Sequence, residues 1–179
     1  AIVSVGIWLV AIFLLISYEG VRGSNGLKHR GLTGNTAIAA AIGMDVLFGA
    51  SAVSGTTDPK VISLAIMAFF YSLARELIKD IEDMEGDIDR NTVPRSIGVD
   101  NARSIAWIFT MAAFVSLFLP FILEVFPTEH AILVSPGGLL LMLVKSKLFI
   151  GEDRAAQRLI KRSLQISMIG VIASAIIIG

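Results

Sequence analysis

The chain has 179 residues, no cysteine, and equal numbers of basic and acidic side chains, 15 of each. Apolar residues make up 55% and charged residues 17%, with a mean hydropathy of +0.77. This excludes a disordered chain, a disulfide scaffold and a basic nucleic-acid binder, and no nucleic-acid partner is expected. So much apolar surface needs lipid as its solvent.

Six apolar segments follow one another: Ile2–Ser17, Thr36–Val53, Lys60–Lys79, Ser104–Leu123, Ala131–Val144 and Ser163–Ile178. A membrane-spanning helix takes roughly 17–25 residues, and flanking Lys and Arg side chains lengthen the shorter ones by snorkelling. The joins GVRGSNG, SGTTDP and FPTEH carry turn chemistry, and no segment alternates as a strand does. The predicted fold is an all-α transmembrane bundle, a single domain over 1–179. The chain opens on AIVSVGIWLVAIF and closes on IASAIIIG, which reads as an N-terminally incomplete part of a longer protein.

Fourteen of the fifteen Lys and Arg residues fall in the joins 18–35, 75–103 and 145–162, and one, Lys60, falls in the others. Alternating loops with this bias place the basic joins in the cytoplasm. The expected localisation is an integral cell membrane protein with those joins inside.

The third span runs on into YSLARELIKDIEDMEGDIDRNTVP, residues 71–94. About 20 residues at 1.5 Å each cross the ~30 Å core, so Asp80 lies at the cytoplasmic boundary. With Asp80 at 0° and about 100° per residue, Glu76 falls at about 320°, Asp83 at about 300° and Asp87 at about 340°. These carboxylates share one stripe, bordered by Lys79 at about 260° and Arg75 at about 220°. Like charges on one face require a cation, and hard oxygen donors favour Mg²⁺ or Ca²⁺. The bland alternative is a solvated helix end whose acids pair with nearby bases. At a membrane boundary, ionisable residues favour the functional reading. A calcium-loop reading fails because Thr92 stands where the closing Glu is needed.

The run Arg75-Glu76-x-x-Lys79-Asp80-x-x-Asp83-x-x-Gly86-Asp87, followed by Thr92-Val93-Pro94 and Gly98, resembles the second aspartate-rich motif of the UbiA family of intramembrane prenyltransferases. The wording RELIKDIEDMEGD is closest to the archaeal branch that includes digeranylgeranylglyceryl phosphate synthase. Tyr18, Leu27-Lys28 and Gly34-Asn35 resemble the pattern that precedes the family's fifth helix. The resemblance implies a nine-helix fold in which these six spans are helices four to nine. The family's first aspartate motif has no match here and belongs to the helices before them. It also implies Mg²⁺ as cofactor and a prenyl diphosphate as donor, with Asp83 and Asp87 as metal ligands and Asp80 beside them, these three forming the catalytic set. Arg75, Lys79, Tyr18, Lys28 and Asn35 are its implied substrate-binding residues. Asn91, Thr92 and Arg95, within 88–98, would form a cap loop over the cytoplasmic mouth. The implied reaction moves a geranylgeranyl group to geranylgeranylglyceryl phosphate in membrane lipid biosynthesis. The alternative acceptor is aromatic, such as 4-hydroxybenzoate.

Two rivals are weaker. A CDP-alcohol phosphotransferase needs an Asp-Gly before Ala74-Arg75 that is missing here. An ion-coupled transporter would show inverted repeats and helices broken mid-membrane, and neither is visible. Among other residues, Asp45 in mid-span is expected to face a cavity or a partner. Gly43, Gly49 and Ala39–Ala41 read as close-packing positions, Trp8 and Trp107 as lipid-facing or interfacial anchors, and Lys145 and Lys147 as snorkelling anchors. Phe69, Phe70 and Tyr71 could line a prenyl tunnel.

Overall fold

The computed structural model describes residues 2–20, 26–54, 58–86 and 90–178. Asp87 lies outside the described residues. The helices are α1 (Ile2–Glu19), α2 (Leu32–Ser54), α3 (Pro59–Glu82), the short α4 (Val93–Ile97), α5 (Val99–Ile122), α6 (Ala131–Phe149) and α7 (Asp153–Ile178). Single 3₁₀ turns at Leu27–His29 and Thr128–His130 precede α2 and α6. All six predicted spans are present as helices long and apolar enough to cross a membrane.

The helices outrun the apolar segments that mark them. α7 begins at Asp153 rather than Ser163, and α5 at Val99 rather than Ser104. Hydropathy reports only the part in lipid, whereas a helix continues while its polar end finds partners. Arg154 Nε, in the first turn of α7, donates to Glu82 Oε1 of α3 at 2.6 Å. Arg103 on α5 meets Asp153 at 2.9 Å.

Local chemistry sets the ends of α3. Asp58 caps its start, the carboxylate accepting from the Lys60 amide at 2.7 Å, and Pro59 occupies the first turn, where its missing N–H costs nothing. At the other end Asp83 is the cap residue, its N–H donating to Lys79 O. The chain then turns through Gly86. Gly98, at φ +85°, makes the corner between α4 and α5, a conformation that favours glycine.

α3, α5, α6 and α7 form a closed group, because α3 packs against both α5 and α7. α2 lies on α3, and α1 lies outermost on α2. Small and polar residues draw the closed group together. A Cβ on Gly137 would collide with Ser167 Oγ, and one on Gly170 with Leu133 O. Ser163 Oγ donates to Gly137 O at 2.7 Å and lies 2.8 Å from the Tyr71 hydroxyl. Ser163 has spent its one proton on a carbonyl, so Tyr71 is the donor of that second bond. Gly43 likewise fits tightly over Ala65 O, but Gly49 has open space around it and is not a packing position.

Candidate active site at the acidic end of α3

One side of α3, with Leu73, Ala74, Leu77, Ile78 and Ile81, is buried. Tyr71 and Glu82 face α7, where Glu82 receives both Arg154 and the Gln157 amide. The remaining sector, carrying Phe69, Arg75, Glu76, Lys79 and Asp83, is only partly covered or open. The acidic stripe predicted at about 300–360° lies on this open sector.

Asp80 closes its edge. It is 7% exposed, and Asp80 Oδ2 accepts from Asn35 Nδ2 on α2 at 2.8 Å. A buried carboxylate needs such donors to stay in place. Two predicted site residues, 45 positions apart, thus meet directly. Asp83 stands one turn on, exposed at the helix end. Arg75 Nη1 pairs with Glu76 Oε1 at 2.9 Å, whereas Lys79 is exposed and has no carboxylate partner among the described residues.

Tyr18 and Lys28 belong to a clasp at the entry to α2. Lys28 Nζ pairs with Glu19 at 2.9 Å. Arg90 Nη2 donates to the Tyr18 hydroxyl at 3.2 Å, and Arg90 Nε to Lys28 O at 3.3 Å. The described part of the cap segment also docks. Arg95 Nη2 donates to Met84 O at 2.6 Å, and Ser96 Oγ to Asn91 Oδ1 at 2.8 Å. Gly31, at φ +50°, lets Asn91 O and Val93 approach so closely that a Cβ would lie 3.2 Å from that oxygen. Arg90 carried no motif signal. Its role depends on a fold that brings residue 90 back over residues 18–28.

Below the acids, α2 and α3 enclose an apolar groove of about 450 Å³ lined by Ala40, Gly43, Met44, Leu47, Phe69 and Phe70 among others. The two phenylalanine rings stack edge-on at 5.1 Å. Tyr71 instead points to α7, so it belongs to the packing rather than to this groove. Asp45 is exposed on the side of α2 that also carries Asn35 and Ile42, and it has no hydrogen-bond partner among the described residues. A larger cavity, about 680 Å³, lies elsewhere, among the ends of α3, α5 and α7. Two acid–arginine pairs bridge helices there, Glu82–Arg154 and Arg103–Asp153, so it reads as a charged seam, with Glu85 and Arg158 at its rim outside any ion pair among the described residues. Of the expected anchors, Trp8 is half exposed, Lys145 lies 5.7 Å over the Trp107 ring, and Lys147 pairs with Glu152 at 2.8 Å.

Among the described residues no three His, Cys, Asp or Glu side chains gather closely enough to cage a metal ion. The donor set is nonetheless of the kind Mg²⁺ uses: oxygen ligands only, one or two carboxylates, the shell being completed by substrate phosphates and water. Asp80 and Asp83 fit that requirement. Ca²⁺, which takes six to eight oxygen ligands, would need more than they provide.

Known proteins resemble this chain in sequence and in fold. The sequence model of the UbiA prenyltransferase family matches residues 2–169. The protein named digeranylgeranylglyceryl phosphate synthase in Haloquadratum walsbyi is 29% identical over 99% of this chain and 59% of its own length. Its namesake in Archaeoglobus fulgidus is 33% identical over 80% of this chain and 50% of its own length. That of Methanopyrus kandleri is 30% identical over 83% and 55%. A solved structure from work on digeranylgeranylglyceryl phosphate synthase in membranes superposes with a TM-score of 0.78 at 24% identity, over 97% of this chain and 61% of that one. The chain thus spans between half and three fifths of the length of these relatives.

Proposed function

This chain belongs to the UbiA prenyltransferase family, and on that premise we propose that the protein transfers a geranylgeranyl group from its diphosphate to the hydroxyl of geranylgeranylglyceryl phosphate. The protein is an integral membrane protein. The observation that carries the reading is one α2–α3 interface with a polar end and an apolar end: the buried Asn35–Asp80 pair at 2.8 Å and, beginning about 15 Å along α3 at Phe70, the apolar groove. It joins a site for a charged head to a site for an apolar chain, which is what a prenyl diphosphate needs.

In this reading Asp80 and Asp83 hold Mg²⁺, with Asp87 as a third ligand. When bound, the ion neutralises charge on the diphosphate so that it can leave. Asn35 fixes the orientation of the Asp80 carboxylate through its amide, the part that outer-shell partners play at metal sites. Lys79, exposed beside the stripe, offers its ammonium to a phosphate oxygen of the donor, and Arg75, paired with Glu76, keeps N–H groups for a phosphate on the far side of the open sector. Phe69, Phe70, Met44 and Leu47 form a dry wall along the prenyl chain and keep water from the allylic cation. Tyr18, Lys28 and Arg90 clasp the entry to α2, and Arg95 ties the cap segment 91–97 to the end of α3.

One flank of this arrangement is open. Asp45 facing lipid in mid-membrane would cost roughly 2.5–3.5 kcal/mol on insertion scales. That cost is avoided if its face of α2 lines a cavity closed by helices matching the part of the relatives that this chain does not span. Those helices would also supply the remaining metal ligands. The mouth is placed on the cytoplasmic side by the charge bias of the joins. A single cysteine in place of the exposed Asp100 should then resist membrane-impermeant labelling of intact cells; labelling there inverts the orientation.

The test is to incubate the full-length protein with Mg²⁺, geranylgeranyl diphosphate and either geranylgeranylglyceryl phosphate or 4-hydroxybenzoate. Product with the lipid acceptor is expected. Product with the aromatic acceptor alone would replace the acceptor, and no product with either would remove the reading. Asn35→Ala should lower turnover about 10- to 100-fold, the usual cost of losing an outer-shell partner, and Asp83→Asn should lower it further. Near-normal Asp83→Asn turnover would take Asp83 out of the site.

A further inference from the structure

A second cavity, about 270 Å³, lies where α3 faces α2 on one side and α7 on the other. Its walls include Ile42, Ile160 and Leu164, and its polar groups include Ser72, Arg75 and Lys161. The antiparallel docking of α3 on α7 produces this meeting. Glu82 lies against Arg154, and Tyr71 against Ser163 and Ser167, so Arg75, between them on α3, comes level with Lys161.

Ser72 is 8% exposed and its hydroxyl oxygen is buried, yet it has no hydrogen-bond partner among the described residues. Native structures rarely leave such a group unsatisfied, and a helical serine ordinarily returns its proton to the carbonyl four residues back. Lys161 is exposed and has no carboxylate partner among the described residues. Arg75 spends one nitrogen on Glu76 at 2.9 Å, which leaves further N–H groups of its fork to donate. Two cations and an orphan hydroxyl at the head of an apolar pocket match a ligand with two negative charges and several acceptor oxygens, attached to an apolar chain. A phosphate monoester on a lipid has that chemistry.

We infer that Ser72, Arg75 and Lys161 form the subsite for the phosphate of the lipid acceptor, distinct from the site of the diphosphate donor at Asp80 and Asp83. The inference rests on the prenyl-transfer reading above. Arg75 stands about 7.5 Å along α3 from Asp80 and about 140° around it. The two heads therefore lie on either side of the open sector of α3, with Glu76 between them. The acceptor is held by its phosphate while its hydroxyl reaches across toward the allylic carbon.

The experiment uses the full-length protein and its Lys161→Ala, Lys161→Arg and Ser72→Ala variants. Turnover is measured against geranylgeranylglyceryl phosphate and against geranylgeranyl diphosphate. Binding of a long-chain alkylglycerol phosphate, and of the same lipid without phosphate, is measured separately in detergent without the donor. Lys161→Ala should raise the KM for the phosphorylated acceptor about tenfold or more and leave that for the diphosphate within about twofold, with Lys161→Arg restoring most of the loss. Ser72→Ala should act in the same direction and more weakly. In the binding arm Lys161→Ala should abolish the preference for the phosphorylated lipid. An equal rise in the KM for both substrates would assign the pocket to the donor, and no change in either would empty it of function. If wild-type protein transfers no prenyl group, the reading of function fails, and the binding arm still decides whether the pocket holds a phosphate.

Discussion

The most apolar helix and the most buried helix are different ones. α1 exceeds α3 in hydropathy and has no buried residue, whereas eleven of the 24 residues of α3 are buried, Tyr71, Ser72 and Asp80 among them. In water the order would be reversed. In lipid, side chains such as Phe13 and Leu9 gain nothing by leaving the solvent, so apolarity alone does not draw α1 against the other described helices. Helices are drawn inward by close backbone approach and by polar groups that find no partner in hydrocarbon. The α3, α6 and α7 contacts consist of these: Gly137, Gly170, Ser163, Ser167 and the Tyr71 hydroxyl.

Three substitutions probe the contrast, in falling order of effect. Gly170→Leu places a side chain against Leu133 O and should cost about 1–3 kcal/mol or more, read as loss of the monodisperse full-length protein on heating in detergent. Unchanged melting would show that the seam does not hold α6 to α7. Tyr71→Phe keeps the ring and removes the bond to Ser163. It should cost about 0.6–1.7 kcal/mol, the range for hydrogen bonds between membrane helices, measured as a shift in unfolding midpoint. Phe13→Ala removes a larger side chain but one 68% exposed, and should change stability by less than about 0.5 kcal/mol. A larger loss there would mean that another part of the protein covers α1, and would confine the contrast to the region of α3.

Hydropathy and charge located the six spans because both are one-dimensional properties of the chain. The acid stripe was equally legible, since a period of 100° is local to one helix. The Asn35–Asp80 contact was legible only in part: each residue had been singled out, but not their meeting. Ser72, Lys161 and Arg90 were invisible. Each acquires a role from residues about 70 to 90 positions away, and none sits in a local pattern that distinguishes it from an ordinary surface or span residue. Gly49 erred in the other direction. A glycine in an apolar run looks like a packing site, but which side of the helix meets a neighbour is a tertiary fact. Asp87, central to the motif, lies outside the described residues.

The end of α3 has a thermodynamic consequence. A helix C-terminus carries about half a unit of negative charge from its aligned peptide dipoles, and basic side chains are ordinarily found there. Here Lys79 is the one basic residue of the last turn, while Asp80, Glu82 and Asp83 crowd the same end and Glu85 follows. Arg154 answers Glu82 and Asn35 answers Asp80, but the backbone field still opposes the carboxylate of Asp83, which has no ion pair among the described residues. A cation binding there does more than fill a site, because it relieves a repulsion built into the folded chain. A cation bound at this turn would link folding to ion uptake and would contribute to the protein's stability as well as to its chemistry.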